Sequence, residues 1–293
     1  MSAAQRIAFV APRFAEGSTV GGAETLLKAL AERCARAGRQ VEFLTTCATN
    51  HFTWENTVPP GTREVNGMTV RFFPVNADRD VSNFLRVQHL IDQRLPVSDA
   101  DERTWITHSV NSQALTDHLQ AHGAGYDRIL FGPYLFGVTW FGSAVWPEKS
   151  LLVPCLHDEA FAYLGIMKEM FHHVRGYCFN TAPERELAVR LYGIDPARSA
   201  VVGLGLEPFD ADPRAFAARH GLTQPYVIYS GRRETLKGTP LLCAYLDTFR
   251  ARTGRDVKIV FTGSGQIEAP ESLREHMLDV GFVSEQEKHE AMA

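Results

Sequence analysis

Two guanidinium groups and one ammonium group lie close together in the segment Ser230-Gly-Arg-Arg-Glu-Thr-Leu-Lys-Gly-Thr-Pro240. The segment follows an apolar run at 226–229 and precedes a helical pattern of apolar residues at 241–249. Thr239 is a favourable N-cap, and Pro240 is favourable in the first helical turn. The free N–H groups and positive dipole of a helix N-terminus, together with fixed cations, suit a doubly charged phosphate group. The pattern therefore predicts an anion-binding turn between a buried strand and a helix.

The elements that must position such a site begin near the start of the chain. Residues 6–10 form an apolar strand pattern, and Gly21-Gly-Ala-Glu24 then opens a helix that ends at Gly38. A second strand follows at 41–45. The order strand, glycine loop, helix and strand is the opening of a doubly wound α/β domain.

The same kind of pattern continues to about residue 205. The expected elements are a hairpin turn at Asn66-Gly67 with its clearest strand at 68–73, helices at 81–94 and 111–122, a strand at 128–131, an aromatic helix at 136–146, a strand at 151–154, a helix opened by the capping box of Thr181 and Glu184 and ended by Gly193, and a strand at 200–202. We expect loops at 47–80 and 95–111, apart from the hairpin.

A second domain begins after a linker. We expect domains at 1–205 and 225–293, joined by a segment at 206–224 that contains a short helix. Strands are predicted at 226–229, 257–261 and 279–283, with a helix at 240–252 and a capped helix that starts at Ser284. Because a parallel sheet needs helices on both faces, we expect this domain to be incomplete, or completed by another chain.

Composition excludes several classes of protein. The chain has 293 residues, 45% hydrophobic and 22% charged, with a formal net charge of -4. The length allows two domains, and the charge argues against a nucleic-acid-binding surface. The apolar run at 7–11 is too short for a signal-peptide core, and the longest apolar stretch, 134–146, is shorter than a membrane span. The five widely spaced cysteines indicate reduced core residues. We expect a cytoplasmic protein and leave a peripheral membrane contact open.

Chemically useful residues follow the expected strands one after another. Ligands of open parallel sheets bind at the carboxyl ends of the strands. The residues at those ends are Gly21, Gly22, Tyr134, His157, the segment 230–237, Gly263 and Gly265. Glycines, a histidine and cations are therefore expected at one edge of each sheet, facing a cleft between the domains.

These motifs resemble those of retaining glycosyltransferases with the GT-B fold, of the family 4 type that uses nucleotide-diphosphate sugars. The resemblance extends over essentially the whole chain. It rests on G-G-A-E at 21–24, P-C-L-H-D-E-A around His157, S-G-R-x4-K-G at 230–238, T-G-S-G at 262–265 and G-F-V-S at 281–284. It implies an α/β fold of two Rossmann-like domains, the second one incomplete.

The resemblance also implies roles for individual residues. Arg232 and Lys237 resemble the pair that grips the donor pyrophosphate and stabilises the charge on the leaving nucleotide, which removes the need for a metal or other cofactor. His157 resembles the histidine that contacts the donor sugar near the reacting centre. The donor-binding residues implied are Gly21, Gly22, Gly231, Gly263, Gly265, Phe282 and Val283.

One part of the family's pattern is absent from the sequence. A paired-glutamate motif that touches the donor sugar and the ribose normally follows the helix beginning at Ser284, and the sequence ends at Ala293 before it. The expected donor site therefore lacks a part, and the activity of this polypeptide stays open.

Simpler interpretations of the same residues stay open as well. Arg232 and Lys237 could belong to a solvated loop, His157 could be a structural histidine, and Glu24 is better explained as a partner of the helix dipole than as a base. Tyr134 and Trp140 are most simply core residues, although either could border an acceptor pocket.

Metal and hydrolase chemistry have little support. The two Asp-x-Asp patterns, at 99–101 and 210–212, lie in an expected loop and in the linker, so neither follows a core strand. His172 and His173 lack the helical spacing of zinc ligands, and no G-x-S-x-G elbow is present.

The leading hypothesis is transfer of a sugar from a nucleotide-diphosphate sugar to a sugar, lipid-linked or glycan acceptor, with retention at the anomeric carbon. The donor is expected mainly on the second domain and the acceptor mainly on the first. One alternative is a non-catalytic fragment or subunit that binds nucleotide weakly, and another is a nucleotide-sugar epimerase.

Overall fold

The structure is a computed structural model that describes residues 5–16, 21–205, 208–233 and 235–293. The chain divides into two compact units, Met1–Gly205 (unit 1) and Leu206–Ala293 (unit 2). Each unit contains its own β-sheet. Within the described ranges, every helix is too short or too polar to cross a membrane.

Unit 1 is built on an eight-stranded sheet with the order β3-β4-β2-β1-β5-β6-β7-β8. The strands are β1 (Arg6–Val10), β2 (Gln40–Thr46), β3 (Gly61–Val65), β4 (Met68–Phe73), β5 (Arg128–Phe131), β6 (Ser150–Leu152), β7 (Gly176–Phe179) and β8 (Ser199–Val201). The helices are α1 (Gly22–Arg36), α2 (Val81–Asp92), α3 (Asp99–His108), α4 (Gln113–His122), α5 (Gly137–Ser143), α6 (Gly165–His173) and α7 (Ala182–Tyr192). Only the pair β3 and β4 is antiparallel among these strands.

The central strands of unit 1 are covered on both faces. Phe9 of β1 and Phe43 of β2 are register partners and pack in one apolar cluster with α1. Val10 and Leu44, the next register pair, point to the other face and belong to a second cluster. This alternation explains why almost every residue of β2 is buried, as in parallel sheets with helices on both sides.

Unit 2 contains three parallel strands in the order β11-β10-β9. The strands are β9 (Tyr226–Ser230), β10 (Lys258–Thr262) and β11 (Met277–Gly281), and the helices are α8 (Pro213–Arg219), α9 (Thr239–Thr253) and α10 (Glu285–Met292). Phe216 of α8 is fully buried against Val260 of β10 and Ala291 of α10. Part of the segment expected as a linker therefore contributes to the core of unit 2.

Several elements differ from the sequence-based expectations. The expected loop at 95–111 contains α3, which is capped by the Ser98 side chain and has three acidic residues in its first turn. α6 and β7 were not predicted. β11 begins and ends two residues earlier than the predicted 279–283, because Gly281 leaves the extended conformation with a φ of 65°. The predicted α/β class is confirmed.

Candidate functional site

The cation-bearing segment of unit 2 lies at the carboxyl end of β9. β9 ends at Ser230, and Arg232 and Lys237 both have exposed side chains. Lys237 closes a short 3₁₀ turn, Thr235–Lys237, directly before α9. Glu234, between the two cations, lies outside the described residues. The structure thus places both predicted phosphate ligands at the edge of the sheet where ligands of parallel sheets bind.

The start of α9 differs from the prediction. The N-cap is Gly238, whose φ of 72° is left-handed, and Thr239 is the buried first residue of the helix. Glycine carries no side chain, so Gly238 gives no side-chain hydrogen bond to the first amides of α9. Pro240 lies in the first turn as predicted. This helix start is compatible with an anion placed beside Lys237.

Two glycines after β10 allow the neighbouring loops to pack closely. A Cβ atom at Gly263 would lie 2.4 Å from the carbonyl oxygen of Gly231, and one at Gly265 would lie 2.4 Å from that of Arg233. Both glycines have a φ of 104°, which side chains rarely adopt. The structure therefore brings Gly231, Gly263 and Gly265 together, and packing between loops already requires glycine at 263 and 265.

Phe282 and Val283 follow the end of β11. Phe282 is 85% exposed, the most exposed of the large apolar side chains described. The amide of Gly263 donates to the carbonyl oxygen of Gly281 at 2.7 Å, which joins the loop after β10 to the end of β11. The predicted base-contacting residues thus lie at the same edge of unit 2 as the glycines.

Arg233, for which the sequence indicated no role, is a buried structural residue. Its Nε donates to the carbonyl oxygen of Gly265 at 2.8 Å, and its Nη1 and Nη2 lie 3.1 Å from the two carboxylate oxygens of Asp279. The signal that could have found this pair is Asp279 itself, a charged residue within the otherwise apolar β11. Sequence spacing alone cannot show that a side chain at 233 reaches a strand 46 residues later.

The glycine pair of unit 1 opens α1, after residues 17–20, which lie outside the described residues. Gly21 is the N-cap in an extended conformation, and α1 begins at Gly22. A Cβ atom at Gly21 would lie 2.3 Å from Glu24 Oε2, whereas one at Gly22 would meet no heavy atom of the described residues within 4 Å. A side chain at 21 would thus displace the Glu24 carboxylate, and beside Gly22 the described residues leave room for a ligand to approach.

Glu24 forms a buried ion pair with Arg13, a residue that sequence reasoning missed. Arg13 Nη2 and Nε lie 2.6 and 2.9 Å from Glu24 Oε1, and both residues are nearly buried. Arg13 Nη1 also donates to the carbonyl oxygen of Thr49 at 3.2 Å. The pair therefore fixes the start of α1 to the loops after β1 and β2, beyond any effect on the helix dipole.

His157 is exposed in the loop that follows β6. Its position is set by Glu184, whose carboxylate accepts from the amides of Leu156 at 2.8 Å and Asn180 at 2.6 Å. The amide of Glu184 donates to Thr181 Oγ1 at 3.2 Å, so this half of the predicted capping box is present. Burial is the main cause that raises the pKa of Cys155, in the same loop, to about 11, so its thiol stays protonated at neutral pH.

The expectation for Tyr134 at an acceptor pocket needs correction. The side chain is fully buried, and its hydroxyl donates to Glu159 Oε1 at 2.7 Å. Trp140 is half-buried and donates to the carbonyl oxygen of Ile166 at 3.1 Å. Tyr134 therefore positions Glu159 in the loop after His157 and has no surface left to contact an acceptor.

A cavity of about 270 Å³ lies in unit 1, between the end of α2 and the 3₁₀ turn Ala160–Tyr163. Its lining combines apolar side chains with three polar ones, Arg94, Glu102 and Tyr163. The turn begins three residues after His157, so the recess adjoins the segment that carries the predicted sugar-binding histidine.

The candidate metal ligands are engaged elsewhere. Asp101 lies in the first turn of α3 and pairs with Arg86 at 2.6 Å, and Asp212 caps α8. His172 Nε2 lies 2.8 Å from the carbonyl oxygen of Tyr192. Among the residues that the structure describes, no group of three or more histidine, cysteine or acidic side chains could hold a metal ion.

The sequence matches no protein-family model and no curated protein. Solved structures with a similar fold include trehalose 6-phosphate synthase from Burkholderia multivorans, at 13% identity and a TM-score of 0.56, with 99% of this chain and 76% of that chain covered. The catalytic domain of starch synthase IV from Arabidopsis thaliana, bound to ADP and acarbose, is likewise 13% identical with a TM-score of 0.56, over 99% of this chain and 76% of that chain. UGT2 from Phytolacca americana, complexed with UDP-2fluoro-glucose and pterostilbene, is 11% identical with a TM-score of 0.50, over 96% of this chain and 72% of that chain. The predicted fold of two Rossmann-like domains, GT-B, is confirmed by these similarities.

Proposed function

We propose that the chain is a glycosyltransferase that moves a sugar from a nucleotide-diphosphate sugar to an acceptor. The observation that carries the proposal is the turn after β9, where exposed Arg232 and Lys237 lie between the end of β9 and the start of α9, at the carboxyl edge of the unit 2 sheet. The fold shared with trehalose 6-phosphate synthase and starch synthase supports the same class of reaction.

In the proposed reaction, Arg232 and Lys237 bind the donor pyrophosphate and stabilise the negative charge that develops on the leaving nucleotide diphosphate. Fixed cations aimed at developing charge are usually the largest single contribution to this kind of catalysis. Because they supply the positive charge, we propose that no metal ion is needed. Phe282, exposed at the end of β11, is the residue that we propose to contact the base.

Unit 1 provides the proposed contacts to the sugar. Among the described residues no side chain blocks Gly22, so its backbone is proposed to approach the reacting sugar, and the exposed His157 is proposed to contact that sugar. The recess beside the turn Ala160–Tyr163, with Arg94, Glu102 and Tyr163 in its lining, is the proposed acceptor side. Retention of the anomeric configuration and the family 4 assignment rest on the resemblance of the motifs.

The test begins with thermal unfolding of the full chain in the presence of UDP-, GDP- and ADP-sugars, since ligand binding to the folded state raises the unfolding temperature. The donor with the largest effect is then used in turnover assays with sugar and lipid-linked acceptors. Arg232→Ala and Lys237→Ala should each reduce turnover by roughly 100- to 1,000-fold, as expected for loss of one donor to a developing anion.

Arg252→Ala is the matched control, because Arg252 is an exposed arginine in the last turn of α9. It should leave binding and turnover unchanged. Failure of all three donor classes to bind, or unchanged turnover in Arg232→Ala, would refute the proposal.

The second candidate is a non-catalytic subunit that binds nucleotide and is covered in part by another polypeptide. The outer face of α9 exposes Leu241, Tyr245 and Phe249 at helical spacing, with exposed fractions of 52%, 64% and 40%. Such an apolar stripe is more often covered by other polypeptide than left in water. Nucleotide binding without release of the donor sugar, for any acceptor, would favour this candidate.

A further inference from the structure

We propose that Arg233 and Asp279 position the phosphate-binding turn of unit 2, although neither contacts the phosphate. The inference rests on the proposed function and adds two residues to it. The hydrogen bonds from the Arg233 guanidinium to Gly265 and Asp279 are called the Arg233 strap below.

The Arg233 strap crosses the whole sheet of unit 2. It starts in the loop after β9, passes over the Phe261 ring of β10 with 5.9 Å between the guanidinium carbon and the ring centroid, and ends on Asp279 of β11. The Arg233 backbone is tied at the same place, because its amide donates to the carbonyl oxygen of Ser264 at 2.7 Å. One residue therefore joins the loop after β9 to both of the other strands.

Asp279 is held in turn by the end of its own strand. Its Oδ1 accepts from the amide of Gly281 at 3.0 Å, next to the point where the register between β10 and β11 shifts. Both carboxylate oxygens face the guanidinium, which gives the two-pronged geometry that fixes orientation as well as distance. The strap is thus anchored at both ends.

Stability alone does not account for an arginine at 233. The side chain is only 4% exposed, and burying a guanidinium is unfavourable unless it is paired. An apolar side chain of similar size above Phe261 would often serve stability equally well. What an apolar side chain cannot supply is a set of directional bonds that holds the preceding residues, Gly231 and Arg232, in one conformation.

Those preceding residues need to be held. Gly231, with a φ of 149°, and Gly263 and Gly265, both with a φ of 104°, adopt backbone conformations open mainly to glycine. Loops rich in glycine lose more conformational entropy when they become ordered than other segments do. If a residue becomes ordered only when the ligand binds, the free-energy cost corresponds to roughly a tenfold loss of affinity. By ordering the loop before the nucleotide arrives, the strap preserves affinity for the anion.

A positioning role and a simple charge effect make the same prediction for loss of Arg233 but opposite predictions for loss of Asp279. If Arg233 acted only as a positive charge near the anion, removing the negative Asp279 would strengthen nucleotide binding. If the pair acts by holding the loop, removing either partner weakens binding. The sign of the effect at Asp279 therefore decides between the two.

The experiment measures the dissociation constants of UDP, GDP and ADP for the full chain by calorimetry, and follows the tightest of the three through the variants. Arg233→Leu and Asp279→Ala should each weaken binding at least tenfold, and the double variant should be no weaker than Arg233→Leu, because both changes release the same strap. Arg233→Lys, which keeps the charge and loses the two-pronged pair, should also weaken binding and serves if the leucine variant does not fold.

Arg250→Leu is the matched control. Arg250 forms an ion pair with Asp256 at 2.8 Å, slightly closer than the 3.1 Å between Arg233 and Asp279, and both partners precede β10. Its loss should lower the unfolding temperature and leave nucleotide affinity within twofold of the wild type. Thermal unfolding of every variant confirms that it is folded at the temperature of the binding measurement.

The outcomes separate the inference from the proposed function. If the wild type binds nucleotide and Lys237→Ala weakens it, but Arg233→Leu binds within twofold of the wild type or Asp279→Ala binds more tightly, the inference alone is overturned. If the wild type binds none of the three nucleotides, or Lys237→Ala leaves binding unchanged, the proposed function fails and the inference fails with it.

Discussion

Glu184 accepts a hydrogen bond from the amide of Leu156 at 2.8 Å, across 28 residues of sequence. The other carboxylate oxygen accepts from the amide of Asn180 at 2.6 Å. One buried carboxylate thus joins the loop after β6 to the end of β7, and the residue after Leu156 is the exposed His157. The placement of the predicted sugar-binding histidine depends on an acid in the first turn of α7.

Glu184→Ala should therefore reduce both stability and sugar transfer. Hydrogen bonds to a charged group contribute about 1.5–3 kcal/mol each, and two buried amides would lose their partner, so we expect a loss of at least about 2 kcal/mol in the free energy of unfolding. Urea unfolding followed by tryptophan fluorescence measures it, because all four tryptophans lie in unit 1.

Glu186→Ala is the control, since Glu186 is an exposed acid of the same helix. Faster hydrogen exchange at the Leu156 and Asn180 amides in Glu184→Ala, and not in Glu186→Ala, would locate the effect. Equal stability of the two variants would contradict the proposed anchoring of the His157 loop.

The ion pair of Arg13 and Glu24 gives a second prediction. Both partners are nearly buried, so Arg13→Ala leaves an uncompensated carboxylate in the interior beside Gly21. Removing one partner of a buried pair typically costs about 3–5 kcal/mol, and we expect a loss of this order from the free energy of unfolding of unit 1.

Arg63→Ala serves as the comparison for Arg13→Ala. Arg63 pairs with Glu16 at 3.5 Å with both side chains largely exposed, so its loss should change stability by less than about 1 kcal/mol. A double variant, Arg13→Met with Glu24→Leu, should recover much of the lost stability, because no charge is then left buried. Urea unfolding of the wild type and the three variants measures these differences. Equal stability of Arg13→Ala and Arg63→Ala would contradict a buried ion pair at Arg13.

Local patterns in the sequence were sufficient for much of the fold. The alternation at 68–73 and the stop at Gly193 mark elements that the structure contains within a residue or two, because turns, caps and side-chain period are local properties. β7 was missed because it has only four residues and begins at Gly176, where a Cβ atom would lie 2.7 Å from the carbonyl oxygen of Arg198. That requirement exists only once the sheet is assembled.

The same limit applies to the candidate site. Arg232, Lys237 and the glycines could be named from spacing, since they follow strands and precede helices. Arg13, Arg233 and Asp279 could not, because their partners are set by tertiary contacts across 11 residues in one pair and 46 in the other. The residues predicted to touch the ligand were thus visible in the sequence, whereas those that hold them in place were not.

Acid should destabilise unit 1 through a polar network at the start of the sheet. Burial raises the pKa of Glu42, but hydrogen bonds from Arg6, Arg71 and Tyr126 outweigh it and lower the pKa from 4.5 to about 2. Burial and then the nearby His122 lower the pKa of His118 from 6.5 to about 4. In both cases the unfolded chain binds a proton at a higher pH than the folded protein.

Because of this difference, lowering the pH should decrease the free energy of unfolding. The stabilisation that ionised Glu42 gives the folded protein is complete above pH 4.5 and is lost as the pH falls towards about 2. At His118 the unfolded state gains a proton between pH 6.5 and about 4, which stabilises the unfolded state over that range. The free energy of unfolding should therefore decrease continuously as the pH is lowered from about 7 to 3. Tryptophan fluorescence during urea unfolding at each pH measures it.

Glu42→Gln tests the network directly. We expect it to lose on the order of 3 kcal/mol near neutral pH, from the lowered pKa, and to show a flatter dependence on pH below 4.5. Glu148→Gln, at an exposed position, should follow the wild-type curve. A Glu42→Gln curve parallel to that of the wild type through the acid range would contradict the assignment.

Substitution of Gly265 should be more harmful than substitution of a glycine in open space. A Cβ atom at Gly265 would lie 2.4 Å from the carbonyl oxygen of Arg233, a backbone atom that cannot move without displacing the loop after β9. At Gly254, the C-cap of α9 with a φ of 67°, an added Cβ atom would meet no heavy atom within 4 Å in the part of the chain that the structure describes. Gly254→Ala should therefore lower the free energy of unfolding by about 1 kcal/mol from left-handed strain alone, and Gly265→Ala should lower it by more.

Because Arg233 follows Arg232 in the same loop, Gly265→Ala should also weaken nucleotide binding, while Gly254→Ala leaves it unchanged. Calorimetric unfolding and nucleotide titration of the two variants measure both effects, and equal behaviour in both assays would show that the loops after β9 and β10 are not coupled as the contacts indicate.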